Sequence, residues 1–143
     1  MTGLWFGLGM YGHGVSWIQI SIHQFGVPNY FFSVGVTLVF IFFMALYTAA
    51  FAFATRLFSV NDLSFLIISP VLWVLSELAR GTFFSGFPWL LLGYSQTEGP
   101  LAGYVPILGA YGVSLIVGAV GSLIFALMIS KKRKFIFPAS AIL

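Results

Sequence analysis

An all-α integral membrane bundle is the fold class that this sequence predicts, and three observations predict it. Hydrophobic residues make up 60% of the 143-residue chain and charged residues only 6%, at a mean hydropathy of +1.06. Soluble domains carry roughly 25% charged residues. The charges are also badly spread: residues 1–55, 81–97 and 99–130 contain no Asp, Glu, Lys or Arg. Finally, four of the six basic residues form one cluster, Lys131, Lys132, Arg133 and Lys134, at the end of an apolar run. A bilayer-spanning helix needs about 20 mostly apolar residues, and the chain supplies several such runs.

Four spans and the start of a fifth follow in order. Span A covers about residues 3–24 and is the most polar, with His13, Ser16, Gln19, Ser21, His23 and Gln24. Span B covers about 30–55, "YFFSVGVTLVFIFFMALYTAAFAFA". Span C covers about 64–82; Pro70 within it removes a backbone donor, so it either kinks the helix or marks its first turn. Span D covers about 101–130. The run 135–143 is too short to cross, so either it lies at the interface or, the favoured reading, it is the start of a fifth span of a longer protein. No tandem repeat or low-complexity linker divides the chain, which makes residues 1–143 part of one transmembrane domain.

The basic residues set the expected orientation. Alternating spans put Arg56 and Lys131–Lys134 on one side, so five of the six basic residues share it, and positive-inside bias makes that side cytoplasmic. The N-terminus is then cytoplasmic and the loop 83–100 faces outward. "MTGLWFGLGMYGHG" has no basic leader, which excludes a secretory signal as the source of the apolar character. The basic cluster is a topology signal rather than a nucleic-acid footprint, so no nucleic-acid partner is expected. The chain has no cysteine, hence no disulfide, thiolate metal site or thiol nucleophile of its own.

Trp73, Glu77 and Arg80 are spaced by four and three residues and share one face of span C. A charge deep in a bilayer costs about 2.5–3.5 kcal/mol on insertion scales. Glu77 and Arg80 can pair and lean toward the outer interface, either as a polar wall beside a lipid or headgroup site or as a structural ion pair. Span D carries Ala110, Ser114, Gly118, Ser122 and Ala126, a small residue every fourth position, which reads as a helix-packing stripe. Gly3 and Gly7 form a shorter one. His13 and His23 lack an acidic or thiol companion, so no metal site is expected. Ser85 and Ser95 sit in no nucleophile elbow, and no phosphate loop or dinucleotide fingerprint appears. No cofactor and no catalytic residue is assigned.

The outward loop holds the densest chemistry. "GFPWLLLGYSQTEGPLAGYVPILG" contains three prolines, five glycines, two tyrosines, a tryptophan and a glutamate. Pro88 biases Phe87 to an extended shape and can open a short helical turn that Gly93 ends. Trp89 and Tyr94 suit a membrane interface. These features describe a re-entrant or interfacial hairpin rimmed with aromatics. An aromatic belt anchor explains Trp89 and Tyr94, but not the prolines, the glycines, Gln96 or Glu98.

"PVLWVLSELARG" followed by "SGFPWLLLGYSQTEGPLAGYVPILGAYGVS" closely resembles the membrane domain of bacterial apolipoprotein N-acyltransferases, from Pro70 to about Ser114. Upstream, "WFGLGMYGHGVSWIQISIHQFG" is similar to that family's glycine-rich third span and its extension. The resemblance implies transfer of an acyl chain from a phospholipid donor to the N-terminal diacylglyceryl-cysteine of a lipoprotein acceptor, at the outer face of the bacterial cytoplasmic membrane. It implies a thioester acyl-enzyme built on a Glu/Lys/Cys set in a nitrilase-like domain, and covalent relay splits one hard transfer into two easier ones. This chain has no cysteine, no lysine outside 131–134 and no soluble domain, and it matches neither of the family's first two spans, so it is expected to be inactive alone. What carries over is the membrane pattern: Glu77, Arg80, Phe87, Pro88, Trp89, Tyr94, Ser95 and Gln96 as lipid- or substrate-binding candidates at a lateral entrance. Two alternatives stand beside this reading. One is a small proton-coupled exporter subunit using Glu77, which the nearby Arg80 argues against; the other is a non-catalytic membrane scaffold.

Overall fold

A computed structural model describes residues 1–26 and 28–132 of the chain. The described residues form five α-helices and three short 3-10 turns: α1 Thr2–Gly14, α2 Ile18–Phe25, α3 Tyr30–Phe58, α4 Asp62–Thr82 and α5 Val105–Lys132, with the turns Phe83–Ser85, Leu92–Gln96 and Ala102–Tyr104 between α4 and α5. Among the described residues, three helical stretches are long and apolar enough to cross a membrane: Tyr30–Phe58, Asp62–Thr82 and Ala102–Met128. This is an all-α membrane protein. The run 135–143 and the basic residues Arg133 and Lys134 lie outside the described residues. The chain divides into two compact units, Met1–Ala52 and Phe53 onward.

In the first unit, the stretch read as span A is two helices. α1 ends at Gly14, where Val15 leaves the helical region (φ −126°, ψ 10°), and α2 restarts at Ile18. Gly12 and Gly14 weaken the end of α1, because glycine has the largest backbone entropy to lose in a helix. At 13 residues α1 is about 20 Å long, well short of a bilayer's roughly 30 Å hydrocarbon core. Its packing face is Gly3, Gly7, Tyr11 and Val15, one residue per turn. Gly3 lies against Ala52 and Thr48, Gly7 against Thr48 and Ala45, and Tyr11 and Val15 are buried. The facing seam of α3 is Ser33, Thr37, Ile41, Ala45 and Thr48. Its hydroxyls are satisfied within the helix: Ser33 donates to the Tyr30 carbonyl, Thr37 to Ser33 and Thr48 to Ala45, each at 2.8 Å. A helix that serves its own hydroxyls in this way can bury them in an apolar setting.

In the second unit, α4 begins two residues earlier than span C was read, because Asn61 and Ser64 close a capping box. Asn61 Oδ1 accepts the Ser64 amide at 2.8 Å and Ser64 Oγ accepts the Asn61 amide at 2.9 Å. The helix runs through Pro70, and Gly118 of α5 lies against it; a Cβ there would stand 3.2 Å from Pro70 Cβ. Phe65 and Phe125 meet further along the same pair of helices, with ring centroids 5.2 Å apart. The small-residue stripe of α5 is therefore a packing face, with Ser114 and Ser122 buried in it. α5 begins at Val105, after a 3-10 turn that occupies the first residues of the expected span, and breaks at Gly109 (φ 66°, ψ 173°).

Gly7→Ala is expected to destabilise the fold by about 1–3 kcal/mol, because its methyl meets Thr48 and the Ala45 backbone. Gly9 has open space around it, so Gly9→Ala is expected to be neutral or stabilising by up to about 1 kcal/mol. Denaturant titration in mixed micelles, followed by circular dichroism, measures both.

Candidate functional site

The site is the turn that follows α4, and it is built from the helix outward. α4 ends at Thr82, whose hydroxyl donates to the Leu78 carbonyl at 2.9 Å. The Phe87 amide then returns to the Arg80 carbonyl at 2.8 Å and ties the loop back onto the last helical turn. Gly86 makes this return possible. Its φ is 76°, and a Cβ there would overlap the Gly81 carbonyl, so only glycine fits.

Glu77 and Arg80 point into this loop, each only 2% exposed. Glu77 Oε1 accepts two hydrogen bonds, from Trp73 Nε1 at 2.9 Å and from the Leu92 amide at 2.6 Å. Its Oε2 is buried with no hydrogen-bond partner among the described residues. Arg80 Nη1 donates to the Trp89 carbonyl, and Nη2 lies 3.5 Å from the Leu90 carbonyl. From α5, Ser114 Oγ accepts the Gly93 amide at 2.7 Å. Consecutive peptide groups from Trp89 to Gly93 are thus held by side chains of two helices. Leu91, 4% exposed, is the turn's buried apolar plug.

The candidate residues fall into two sets. Glu77 and Arg80 share one face of α4, as their spacing predicts; Arg80 bonds loop carbonyls, and Glu77 bonds the Leu92 amide and the Trp73 indole. Both are buried and frame the turn. Pro88 packs near Gly81, and Phe87 and Trp89 stack at 5.1 Å with planes 20° apart. Trp89 and Tyr94, 47% and 49% exposed, are open, and so is Ser95. Ser95 and Gln96 make local bonds: Ser95 Oγ donates to the Leu92 carbonyl at 2.7 Å, and Gln96 Nε2 reaches Ser95 Oγ at 3.3 Å. Tyr94, Ser95 and Gln96 are brought together on one 3-10 turn.

Two expectations about the loop are corrected. The helical turn does not start at Pro88; it starts at Leu92, because Leu90 takes a left-handed conformation (φ 57°) that no helix admits. Gly93 does not end that turn but lies inside it, pressed against the Ala110 carbonyl, where a Cβ would overlap. The sequence reading also missed Ser114 as a loop anchor, having placed it in the packing stripe. In the first unit it missed an open apolar groove of about 480 Å³ on α3, lined by Phe31, Phe32, Gly35, Val36 and Val39. The recurrence of those residues at one-turn spacing was its available signal.

Apolar crossings joined by a clamped, aromatic-faced turn define a multi-pass membrane protein. The chain belongs to the apolipoprotein N-acyltransferase family, whose N-terminal domain matches residues 1–123. It is 43% identical to the apolipoprotein N-acyltransferase of Coxiella burnetii over 133 residues, 91% of this chain and 27% of that protein. The Pasteurella multocida enzyme is 38% identical over 141 residues (94% and 26%), and that of Methylococcus capsulatus 33% over 146 (99% and 29%). The chain thus spans between a quarter and a third of the length of these relatives.

Glu77→Ala strands the Trp73 indole and the Leu92 amide. It is expected to destabilise the second unit by about 2–4 kcal/mol, since each buried donor left unmade costs roughly 1–3 kcal/mol. Glu77→Gln retains an acceptor for both and is expected to lose less than half as much. Denaturant titration of the two variants compares them directly.

Proposed function

We propose that this chain is the membrane-domain portion of an apolipoprotein N-acyltransferase, a protein that moves an acyl chain from a phospholipid to the N-terminal diacylglyceryl-cysteine of a lipoprotein through a thioester acyl-enzyme. The observation that carries the reading is the family match over residues 1–123, which takes in every residue of the clamped turn. The chain contains no cysteine, so no residue of it is assigned the thioester step. Its part is to shape the membrane side of the reaction.

Within that reading, Phe87, Pro88, Trp89, Tyr94, Ser95 and Gln96 form the rim of a lateral entrance through which lipid acyl chains or headgroups pass. The half-open Trp89 and Tyr94 present apolar bodies with polar tips, which suits the boundary between chain and headgroup. Glu77 and Arg80 hold the rim in place. The protein sits in the bacterial cytoplasmic membrane with its N-terminus and Lys131–Lys134 cytoplasmic and residues 83–100 outward, as the basic residues imply. The exporter alternative requires Glu77 to exchange protons with a pathway, whereas Glu77 is buried and bonded to Trp73 and the Leu92 amide.

The test is acyl transfer by a full-length family member carrying this membrane sequence. Trp89→Ala and Glu77→Ala are each expected to lower the rate by roughly ten- to a hundredfold through misplaced substrate, with the protein still inserted and folded. Unchanged transfer in both variants would overturn the assignment of the rim.

A further inference from the structure

The turn Trp89–Gly93 is gripped from both sides. α4 holds it through Arg80, on the Trp89 and Leu90 carbonyls, and through Glu77, on the Leu92 amide. α5 holds its last residue through Ser114, which is 0% exposed and takes the Gly93 amide at 2.7 Å. Between the two grips stands Leu90 at φ 57°, a conformation rare for any residue with a branched, bulky side chain. Nothing in a free loop would keep a leucine there. The grips therefore hold a strained peptide, and strain of this kind persists only where the surroundings over-determine it.

The geometry also supplies a lever. Leu91 is buried, Gly93 is pressed under the Ala110 backbone, and α5 is broken one residue earlier, at Gly109. Trp89, at the other end of the turn, is half open and stacked on Phe87. A small shift of α5 against α4 cannot stretch a 2.7 Å bond by much; it either carries the turn along or lets go. A left-handed residue has no neighbouring basin to drift into, so release is a switch and not a gradual movement.

We propose that Ser114 and Arg80 are positioning residues that jointly hold the Trp89–Gly93 turn in its left-handed form, so that the placement of the Trp89 indole follows the spacing of α4 and α5. For its bearing on acyl transfer this rests on the proposed function; the mechanical claim does not.

The experiment uses the chain in lipid nanodiscs, with two readouts that involve no acyl transfer: hydrogen exchange of the Leu92 and Tyr94 amides, and the ¹⁹F resonance of fluorotryptophan at Trp89. Ser114→Ala is expected to speed exchange at both amides by about tenfold or more and to shift the Trp89 resonance. Adding Leu90→Gly removes the strain and is expected to return exchange to within about threefold of the unaltered chain, and the resonance to its place. Ser122 lies in the same stripe but bonds only its own helix, at the Gly118 carbonyl, so Ser122→Ala is expected to change neither readout. Unchanged signals in Ser114→Ala overturn the proposal, and so does an equal effect from Ser122→Ala, which would make the stripe's packing the cause. Should Ser114→Ala unfold the second unit, Arg80→Lys with and without Leu90→Gly makes the same comparison, since a lysine cannot fork onto two carbonyls. Absence of rescue by Leu90→Gly there overturns the proposal as well. A positive result here alongside unaltered acyl transfer in a full-length Trp89→Ala protein would fault the functional reading and leave the coupling standing.

Discussion

Two opposite charges are buried in one apolar helix, and the loop beside them is the reason they can be. Glu77 and Arg80 would each be costly in hydrocarbon. Irregular backbone has the same difficulty, because its amides and carbonyls find no water at membrane depth and survive only where protein serves them. Each solves the other's problem. The Leu92 amide answers Glu77, and the Trp89 and Leu90 carbonyls answer Arg80. Hydrogen bonds from a guanidinium are of the stronger, charge-assisted kind, and each bond serves a loop group and a helix side chain at once.

The second helix completes the arrangement. A loop pressed onto α5 needs a place where the backbones can touch, and the small-residue stripe provides one. Gly93 meets Ala110 with no side chain between them, and Ser114 sits one turn further to take the amide that this approach buries. The same stripe packs on Pro70 through Gly118 lower in the pair. One run of small residues thus performs two tasks, close helix packing along its length and loop anchoring at its end. The aromatic pair Phe87 and Trp89 is left outside this frame, which explains why Trp89 is half open while its carbonyl is buried in bonds.

Much of this was legible in the sequence, and the rest was hidden for definite reasons. Long apolar runs gave the three long helices, two of them nearly free of charge and α4 with its charges at Asp62, Glu77 and Arg80, and spacings of three and four put Trp73, Glu77 and Arg80 on one face. Besides the Trp73 indole, Glu77 and Arg80 bond loop backbone groups, which every residue carries and no pattern marks, so the frame could not be read. Ser114 was ambiguous for a similar reason: its size served the stripe, and nothing in its neighbours announced the Gly93 amide. Leu90 was opaque because leucine is a good helix former; the left-handed conformation is imposed by tertiary bonds against local preference. The break after Gly14 was weakly signalled by glycines, in a run whose apolar character concealed it.

These constraints also account for a puzzle in the loop itself. "GFPWLLLGYSQTEG" is a long and specific pattern, yet its serine and threonine hydroxyls are both taken up in local bonds. The structure gives five of its fourteen positions a mechanical reason. Gly86 turns the chain where a Cβ would strike Gly81, Pro88 packs beside Gly81, Leu91 fills the space beneath, Gly93 meets Ala110, and Gly99 lies against the Gln96 side chain. A pattern of that kind specifies a shape, and under the proposed function that shape would hold one aromatic rim at a fixed place.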